Sequence, residues 1–468
     1  MARPQPSSAI PYRPDPAILG LGDGFFDRVE AAVFPETILR FANWKWAARV
    51  GLGTLDEAGW MRHFGRFEPL PDNLPTPLAL RYHGHQFRAY NPDIGDGRGF
   101  LFAQLRDDQE RLLDLGTKGS GQTPYSRFGD GRLTLKGGVR EVLATEMLEA
   151  LGVNTSKSFA LIETGEQLTR NDEPSPTRSA VLTRLSHGHV RIGTFQRLAF
   201  EENAAGIVAL VRYSLERLFD EAPGDDDAAN AMRLFELTAG ATAGLAASYL
   251  AAGFVHGVLN SDNINVTGES FDYGPWRFAP TWDEDFVAAY FDQGGLYAFG
   301  RQPEAVQWDL AQLGGCLALV ADGPALAEIL GGWPRLFEQA LVAALVRRLG
   351  VVPDEPVDRS LVSALLTGLR AQSETIDRLL FDWRGGRVPD GDAYQHEAFA
   401  ELRQQLAGRV PLPRALDHDY WRDNGPCSMH IDEVEAIWAA IAATDDWAPF
   451  EAKIAAIRRM GAAQQVGP

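Results

Sequence analysis

Apolar and polar positions follow two different periods along the chain, and the change from one to the other divides it. A polar, Pro-rich stretch, MARPQPSSAIPYRPDP, opens the chain and reads as a flexible arm to about residue 20. The run ILRFANWKWAARVGL, Ile38 to Leu52, has helical spacing with Gly51 as its stop. Pro and turn residues then recur to about Leu80, which predicts a wrapping extension over residues 1–80 and not a separate domain. The next apolar runs are short and extended. FLFAQL and RLLDLG, joined by the polar turn DDQE, predict a β-hairpin, and KSFALIET and SAVLTRLS predict two further strands. Between these pairs a helix begins near Gly138, with Val139, Val142, Leu143, Met147 and Leu148 at helical spacing and Gly152 as its stop. From about Ala204 the helical period takes over, in IVALVRYSLERLF, in Met232 to Ala252, in a helix starting at Pro303 and in several patterns over 324–461. The fold class is therefore α+β, strand-rich over 81–200 and helical over 201–468.

Charge narrows the partners. Against 44 Lys and Arg stand 63 Asp and Glu, a net charge of −19. That argues against nucleic acid or an anionic membrane as the main partner, since both need a basic footprint, but leaves room for a local basic pocket. Cys316 and Cys427 are the only cysteines, without a C-x-x-C, so neither a zinc site nor a disulfide framework is indicated. A secretory signal and an apolar, charge-free window of about 20 residues are both missing, which predicts a soluble cytoplasmic protein.

The candidate chemistry concentrates in GFVHGVLNSDNINVTGESFDYG, ending at Gly274. Asp262-Asn263 and Asp272 flank an apolar pair, Ile264 and Val266, that predicts a short strand between two loops. Such a layout gathers oxygen ligands and a carboxylate base, as a magnesium nucleotide site requires. Protein kinases space H-R-D-x-x-x-x-N and D-F-G in a related way. His256, Gly257 and Val258 fall at H-R-D, Asn263 at the metal-binding Asn, and Asp272-Tyr273-Gly274 at D-F-G. Val258 leaves the base position without a carboxylate, and Asp262 is the nearby one that replaces it.

Upstream, Gly95-Asp96-Gly97-Arg98-Gly99 is either a hairpin connection or a turn whose backbone N–H groups can meet phosphate oxygens. Lys118 ends the second hairpin strand among Gly116, Gly119 and Gly121, and a second GDGR follows at 129–132. Glu141, in the first turn of the next helix, either pairs with Lys118 or is a charge favoured by the helix dipole. Arg184 and Arg191 surround a Gly-containing turn and either face one phosphate pocket or make surface salt bridges. His187 and His189 lack a third ligand and read as loop residues.

Assembled, Lys118, Glu141, Arg184, Arg191, HGVLNSDN and DYGP make the sequence resemble the selenoprotein O family of pseudokinase-like protein adenylyltransferases. GHQF with GDGR, LGTKGSGQTPYSR with GDGR, and AVLTRLS with RIGTFQ add to the resemblance, which runs from about Pro35 to Leu313. It implies a protein-kinase-like two-lobed fold that binds ATP in a flipped orientation, the α-phosphate facing the acceptor. AMP then passes to Ser, Thr or Tyr hydroxyls of proteins, the chain itself among them, with loss of pyrophosphate. On that basis Lys118, held by Glu141, binds the outer phosphates together with Arg184 and Arg191. Gly95, Gly97, Arg98, Asp130 and Gly131 line the nucleotide pocket, and Asp262 is the general base. Asn263 and Asp272, the latter also a nucleotide contact, hold Mg²⁺, for which Mn²⁺ is the substitute. The chain has Arg88 and Tyr90 after GHQF, where the family pattern has Gly and Trp. An atypical kinase transferring the γ-phosphate, a nucleotide-binding scaffold without turnover, and transfer of UMP are the alternatives.

Overall fold

The computed structural model describes residues 10–171 and 173–465. Its strands are β1 (Phe26–Arg28), β2 (Ile38–Ala42), β3 (Leu78–Leu80), β4 (Gly84–Gln86), β5 (Ala89–Asn91), β6 (Leu101–Arg106), β7 (Leu112–Lys118), β8 (Leu133–Thr134), β9 (Lys157–Leu168), β10 (Thr177–Ser186), β11 (Phe254–Val255) and β12 (Arg277–Phe278). The helices α1 (Trp44–Arg49), α2 (Glu57–Phe64) and α3 (Leu135–Ala150) lie among the strands. After β10 come α4 (Ile192–Phe200), α5 (Ala204–Leu218), α6 (Asp227–Ala252), α7 (Gln302–Leu317), α8 (Gly323–Gly331), α9 (Trp333–Leu349) and α10 (Glu355–Arg370). The chain ends with α11 (Ile376–Asp382), α12 (Ala400–Leu406), α13 (Ile431–Thr444) and α14 (Ala448–Gln464).

The main sheet is antiparallel and ordered β1-β3-β6-β7-β10-β9-β2, with β8 on β10. Residues of β6 and β7 are buried almost throughout and do not alternate with exposed ones. Both faces of the sheet are covered, which is why the runs are continuously apolar. Phe102, Phe159 and Val181 pack with Trp46 of α1 and with Trp60 and Phe64 of α2. Leu161 and Leu182 belong to the opposite core with Val139, Val142 and Leu143 of α3. A Cβ on Gly138 would come within 2.4 Å of Leu161, so α3 lies close on the sheet only because that residue is glycine.

The structure is α+β, and the expected hairpin, paired strands and helices coincide with β6–β7, β9–β10, α3, α5, α6 and α7. The helix expected over Ile38–Leu52 is instead β2 followed by α1. Asn43 divides them: its N–H donates to Phe159 O at 2.9 Å, while its side chain accepts from Trp46 N–H at 3.4 Å. That side chain is an N-cap, which starts the helix late, and pairing of β2 with β9 outweighs the helical spacing. The stretch expected to wrap thus contributes β1, β2 and β3 to the sheet. Of the expected flexible arm, residues 1–9 lie outside the described residues. The rest is tied down, Asp15 N–H donating to Gln104 O at 3.0 Å and Ile18 N–H to Gln104 Oε1 at 2.7 Å.

Glu141 sits in the second turn of α3, since Thr134 already caps the helix by accepting from Gly137 N–H at 3.1 Å. Ile264 and Val266 form no strand. They dock on the segment before α4, Ile192 N–H donating to Ile264 O and Val266 N–H to Val190 O. Among the described residues no helix is long and apolar enough to cross a membrane.

Behind that loop, Tyr273 OH donates to Ser270 Oγ at 2.7 Å, and Glu269, 5% exposed, accepts from His187 N–H at 2.8 Å. Burial pushes the Glu269 carboxyl up to about 7 against the pull of Lys157. The folded chain therefore holds this proton more tightly than the unfolded chain, in which a Glu titrates at about 4.3. The sign follows: Glu269 removes stability as pH rises from about 4.3 towards 7. We expect Glu269→Gln, which keeps an acceptor for His187, to gain on the natural chain by roughly 1–3 kcal/mol between pH 5 and pH 8. Urea denaturation of both proteins at the two pH values measures this.

Candidate active site

The end of β7, the 95–99 turn, the 125–132 loop and the 262–272 loop enclose a cleft of about 680 Å³. Gly95, Gly97, Arg98, Asp130 and Gly131 line it, and so do Lys118, Arg184, Arg191, Asp262 and Asp272. Glu141 and Asn263 are buried and are not among its lining residues, Glu141 reaching it through Lys118. A larger cleft, about 1420 Å³, contains Arg347 and Arg348 and none of these residues.

Lys118 is the centre of a buried ion cluster. Its Nζ donates to Glu141 Oε2 at 2.6 Å and lies 2.7 Å from Asp272 Oδ1. Arg184 Nη1 bridges the same two acids, 3.3 Å from Glu141 Oε1 and 3.3 Å from Asp272 Oδ1. Glu141 thus pairs with Lys118; a dipole charge at the helix start is not its role. Asp272 has φ +62°, a left-handed conformation uncommon for a residue with a side chain. Its side chain remains 28% exposed to the cleft. Burial works to raise its pKa, but Lys118, Arg184 and Arg98 prevail and hold it well below the usual carboxylate range.

Asp262 differs in every respect. It is 8% exposed, its Oδ1 has no hydrogen-bond partner, and burial pushes its carboxyl up to about 6 against the attraction of Arg191. Arg191 spends its donors elsewhere, Nη1 on Asp262 O at 3.2 Å and Nη2 on Asp96 Oδ1 at 3.1 Å. Its guanidinium lies 4.2 Å from the Tyr82 ring and 4.8 Å from the Phe271 ring. A carboxylate that is buried, unpaired and titrating near neutrality is suited to take a proton.

His256 joins the two halves of the loop, its Nε2–H donating to Phe271 O at 2.9 Å. Asn263 Nδ2 donates to Val258 O at 3.0 Å, which leaves the amide oxygen as its remaining acceptor. Among the described residues no three His, Cys, Asp or Glu side chains form a group able to hold a metal. Asp272 and Asn263 offer oxygens alone. That set fits a hard divalent cation completed by substrate phosphates, and not a permanently bound metal.

The glycines have a packing role as well. A Cβ on Gly95 would meet the Tyr125 ring at 2.5 Å, and one on Gly99 would meet Thr117 O at 2.0 Å. Asp130 pairs with Arg170 at 2.8 Å and accepts from Arg132 N–H at 3.0 Å. His187 and His189 lie, as expected, in the loop between β10 and α4, where His189 is buried with Nδ1 3.1 Å from Asp114 Oδ2.

Four residues of the site escaped the sequence reading. Asp96 holds Arg191, and its only signal was its place between two glycines already singled out. Tyr82 lies under the same guanidinium. A Cβ on Gly84 would come within 2.9 Å of Asp262 Oδ1, and one on Gly193 within 3.4 Å of Asp262 Cα. Both backbones pack against the aspartate; the two glycines stand within GHQF and RIGTFQ, but nothing in those strings marks such a contact.

Residues 9–404 match the family described as protein adenylyltransferase SelO. A protein nucleotidyltransferase YdiU of Synechocystis sp. (strain ATCC 27184 / PCC 6803 / Kazusa) is 41% identical over 93% of this chain and 96% of the relative. That of Gloeobacter violaceus is 42% identical over 95% of each, and that of Rhodopseudomonas palustris (strain TIE-1) 36% over 84% of this chain and 73% of the relative. The likeness extends well past Leu313, where the recognisable motifs stop. A family match across most of the chain, and relatives 36–42% identical over about three quarters or more of their own length, place the chain in the protein adenylyltransferase SelO family.

Proposed function

We propose that this chain transfers AMP from ATP to Ser, Thr or Tyr hydroxyls of proteins, itself included, with release of pyrophosphate. One observation carries the reading: the same cleft holds a cation group for phosphates, Lys118, Arg184 and Arg191, and a buried carboxylate near pH 6, Asp262. The family's description and the names of the relatives support it. In this reading the fold is protein-kinase-like. The sheet, residues 81–200 with the strands from the first 80, is one lobe, and residues 201–468 are the other. Lys118 on β7 and Glu141 on α3 then take the places of the kinase phosphate-binding Lys and its partner.

ATP lies with its outer phosphates on Lys118, Arg184 and Arg191, and its α-phosphate towards Asp262. Glu141 keeps Lys118 in position. The Asp262 carboxylate, which lines the cleft, accepts the proton of the acceptor hydroxyl. The hydroxyl oxygen bonds to the α-phosphorus as the bond from that phosphorus to the bridging oxygen breaks, and the electron pair leaves with pyrophosphate. The three cations take up the charge of the leaving group. Mg²⁺, with Mn²⁺ as its substitute, would be held by Asn263 and Asp272 with phosphate oxygens and would neutralise part of the triphosphate charge. With Asp262 as base, position 258 needs no carboxylate, and the Val258 carbonyl orients Asn263. We place the activity in the cytoplasm, on protein acceptors and not on nucleic acid or membrane, in keeping with the net charge of −19.

With ATP labelled in parallel at the α- or γ-phosphate and Mg²⁺ present, protein should retain the α-label alone; retention of γ-label would show a kinase instead. Asp262→Asn should lose transfer by about 10²–10⁴-fold with nucleotide affinity unchanged, measured by calorimetry beside the transfer assay. Asp272→Ala should abolish the metal-dependent part of ATP binding. Because Asp262 works deprotonated, kcat/KM should fall as pH drops through about 6, where burial has placed its pKa; a profile flat from pH 5 to 8 would remove it as the base.

A further inference from the structure

The β4–β5 hairpin takes no part in the chemistry above, yet it spends conformational energy beside it. Gln86 pairs with Ala89, so its turn is the two residues Phe87 and Arg88. Both have positive φ, 51° and 62°. Such a turn is of the primed kind, for which Asn-Gly or Asp-Gly is the usual choice. A bulky aromatic and an arginine held there are strained, and strain of this sort gathers at functional sites.

The hairpin is fastened to the catalytic loop. His85 N–H donates to Ser261 Oγ at 2.7 Å, Phe87 N–H donates to Asn260 Oδ1 at 3.1 Å, and Gly84 abuts Asp262. Tyr297, buried, donates its OH to the same Asn260 oxygen at 2.8 Å and lies 5.1 Å from the Phe87 ring. Outward from that anchor the rings open to solvent. Phe87 is 40% exposed, Phe291 follows at 5.9 Å with 46%, and Tyr290 follows Phe291 at 5.2 Å with 83%. Arg88 stands 5.4 Å over Trp308 and 3.0 Å from Glu304, an exposed pair of little worth that a partner carboxylate can displace.

From Gly84 to Phe87 the chain runs along β4 and into its turn, at most roughly 10 Å at about 3.3 Å per residue. An extended acceptor with its hydroxyl at Asp262 therefore brings a side chain about three residues away over Phe87. We propose that the Phe87-Arg88 turn, with Phe291 and Tyr290, docks a linear segment of the acceptor protein that carries a large apolar side chain and a neighbouring carboxylate beside the modified hydroxyl. The occupant follows from continuity with the site: a hydroxyl delivered to Asp262 brings its flanking residues across this strip, while the phosphates lie on the cations of the cleft. This rests on the AMP-transfer reading.

The test uses the full chain and an arrayed library of Ser-, Thr- and Tyr-centred peptides with each flanking position varied. Transfer is followed from α- and γ-labelled ATP with Mg²⁺, and peptide binding is measured separately with a non-hydrolysable ATP analogue. The natural chain should select Phe, Tyr, Trp or Leu at one flanking position and Asp or Glu next to it. Phe87→Ala should lose the apolar selection by roughly 5- to 20-fold, and Arg88→Gly the acidic selection by a similar factor, with KM for ATP unchanged. Arg88→Gly should also raise the melting temperature, since glycine adopts positive φ without strain. A natural chain without flanking selection in either readout, or variants that keep it, would overturn the proposal. A lower melting temperature for Arg88→Gly would overturn its strain argument. Selective binding accompanied by γ-label leaves the docking element standing and overturns AMP transfer alone.

Discussion

The ion cluster of Lys118, Glu141, Arg184 and Asp272 is the constraint on which the rest of the structure depends. Two cations and two carboxylates, three of them less than 6% exposed, are tolerable in that position only together. Any one alone would leave an uncompensated buried charge, at a cost of about 3–5 kcal/mol. They come from β7, α3, β10 and the loop after β11, so satisfying the charges sets four elements in one arrangement. The apolar cores on both faces of the sheet supply the burial, and the cluster supplies the register among the elements they cover.

Asp262 and Asp272 show how environment divides labour between identical side chains. Asp272 faces Lys118 and Arg184 and remains ionised well below the usual range. Asp262 packs against the backbone of Gly84 and of Gly193, and Arg191, whose charge attracts it, is engaged by Asp96 and by the Asp262 carbonyl. Burial then dominates and carries its pKa to about 6. One aspartate is thereby suited to cations and the other to protons, the separation expected of a ligand and a base.

Net charge and local charge point in opposite directions, and the chemistry follows the local one. A chain with a net charge of −19 gathers Arg98, Lys118, Arg184 and Arg191 around one cleft, with Arg127, Arg132 and Arg170 also in its lining. In the proposed reading, phosphates meet those cations in a partly desolvated cleft, where attraction is stronger than at the open surface. The acidic remainder of the surface discourages other polyanions.

Sequence alone determined the local devices: the β6–β7 hairpin, α3 with Gly152 after its end, and the loop that carries Asp262, Asn263 and Asp272, while it left Glu141 either paired with Lys118 or a helix-dipole charge. Each is set by periodicity, a turn or a motif within a few tens of residues, where spacing along the chain translates directly into position. The same reasoning made one helix of β2 and α1, because pairing with β9, more than a hundred residues away, is not written in the spacing of Ile38–Ala42. It also passed over Asp96, Tyr82, Gly84 and Gly193, whose meaning lies in contacts with Arg191 and Asp262. Only the tertiary structure decided which carboxylate would be paired and which left bare, because a pKa depends on distances between segments, and those are settled by how the whole chain packs.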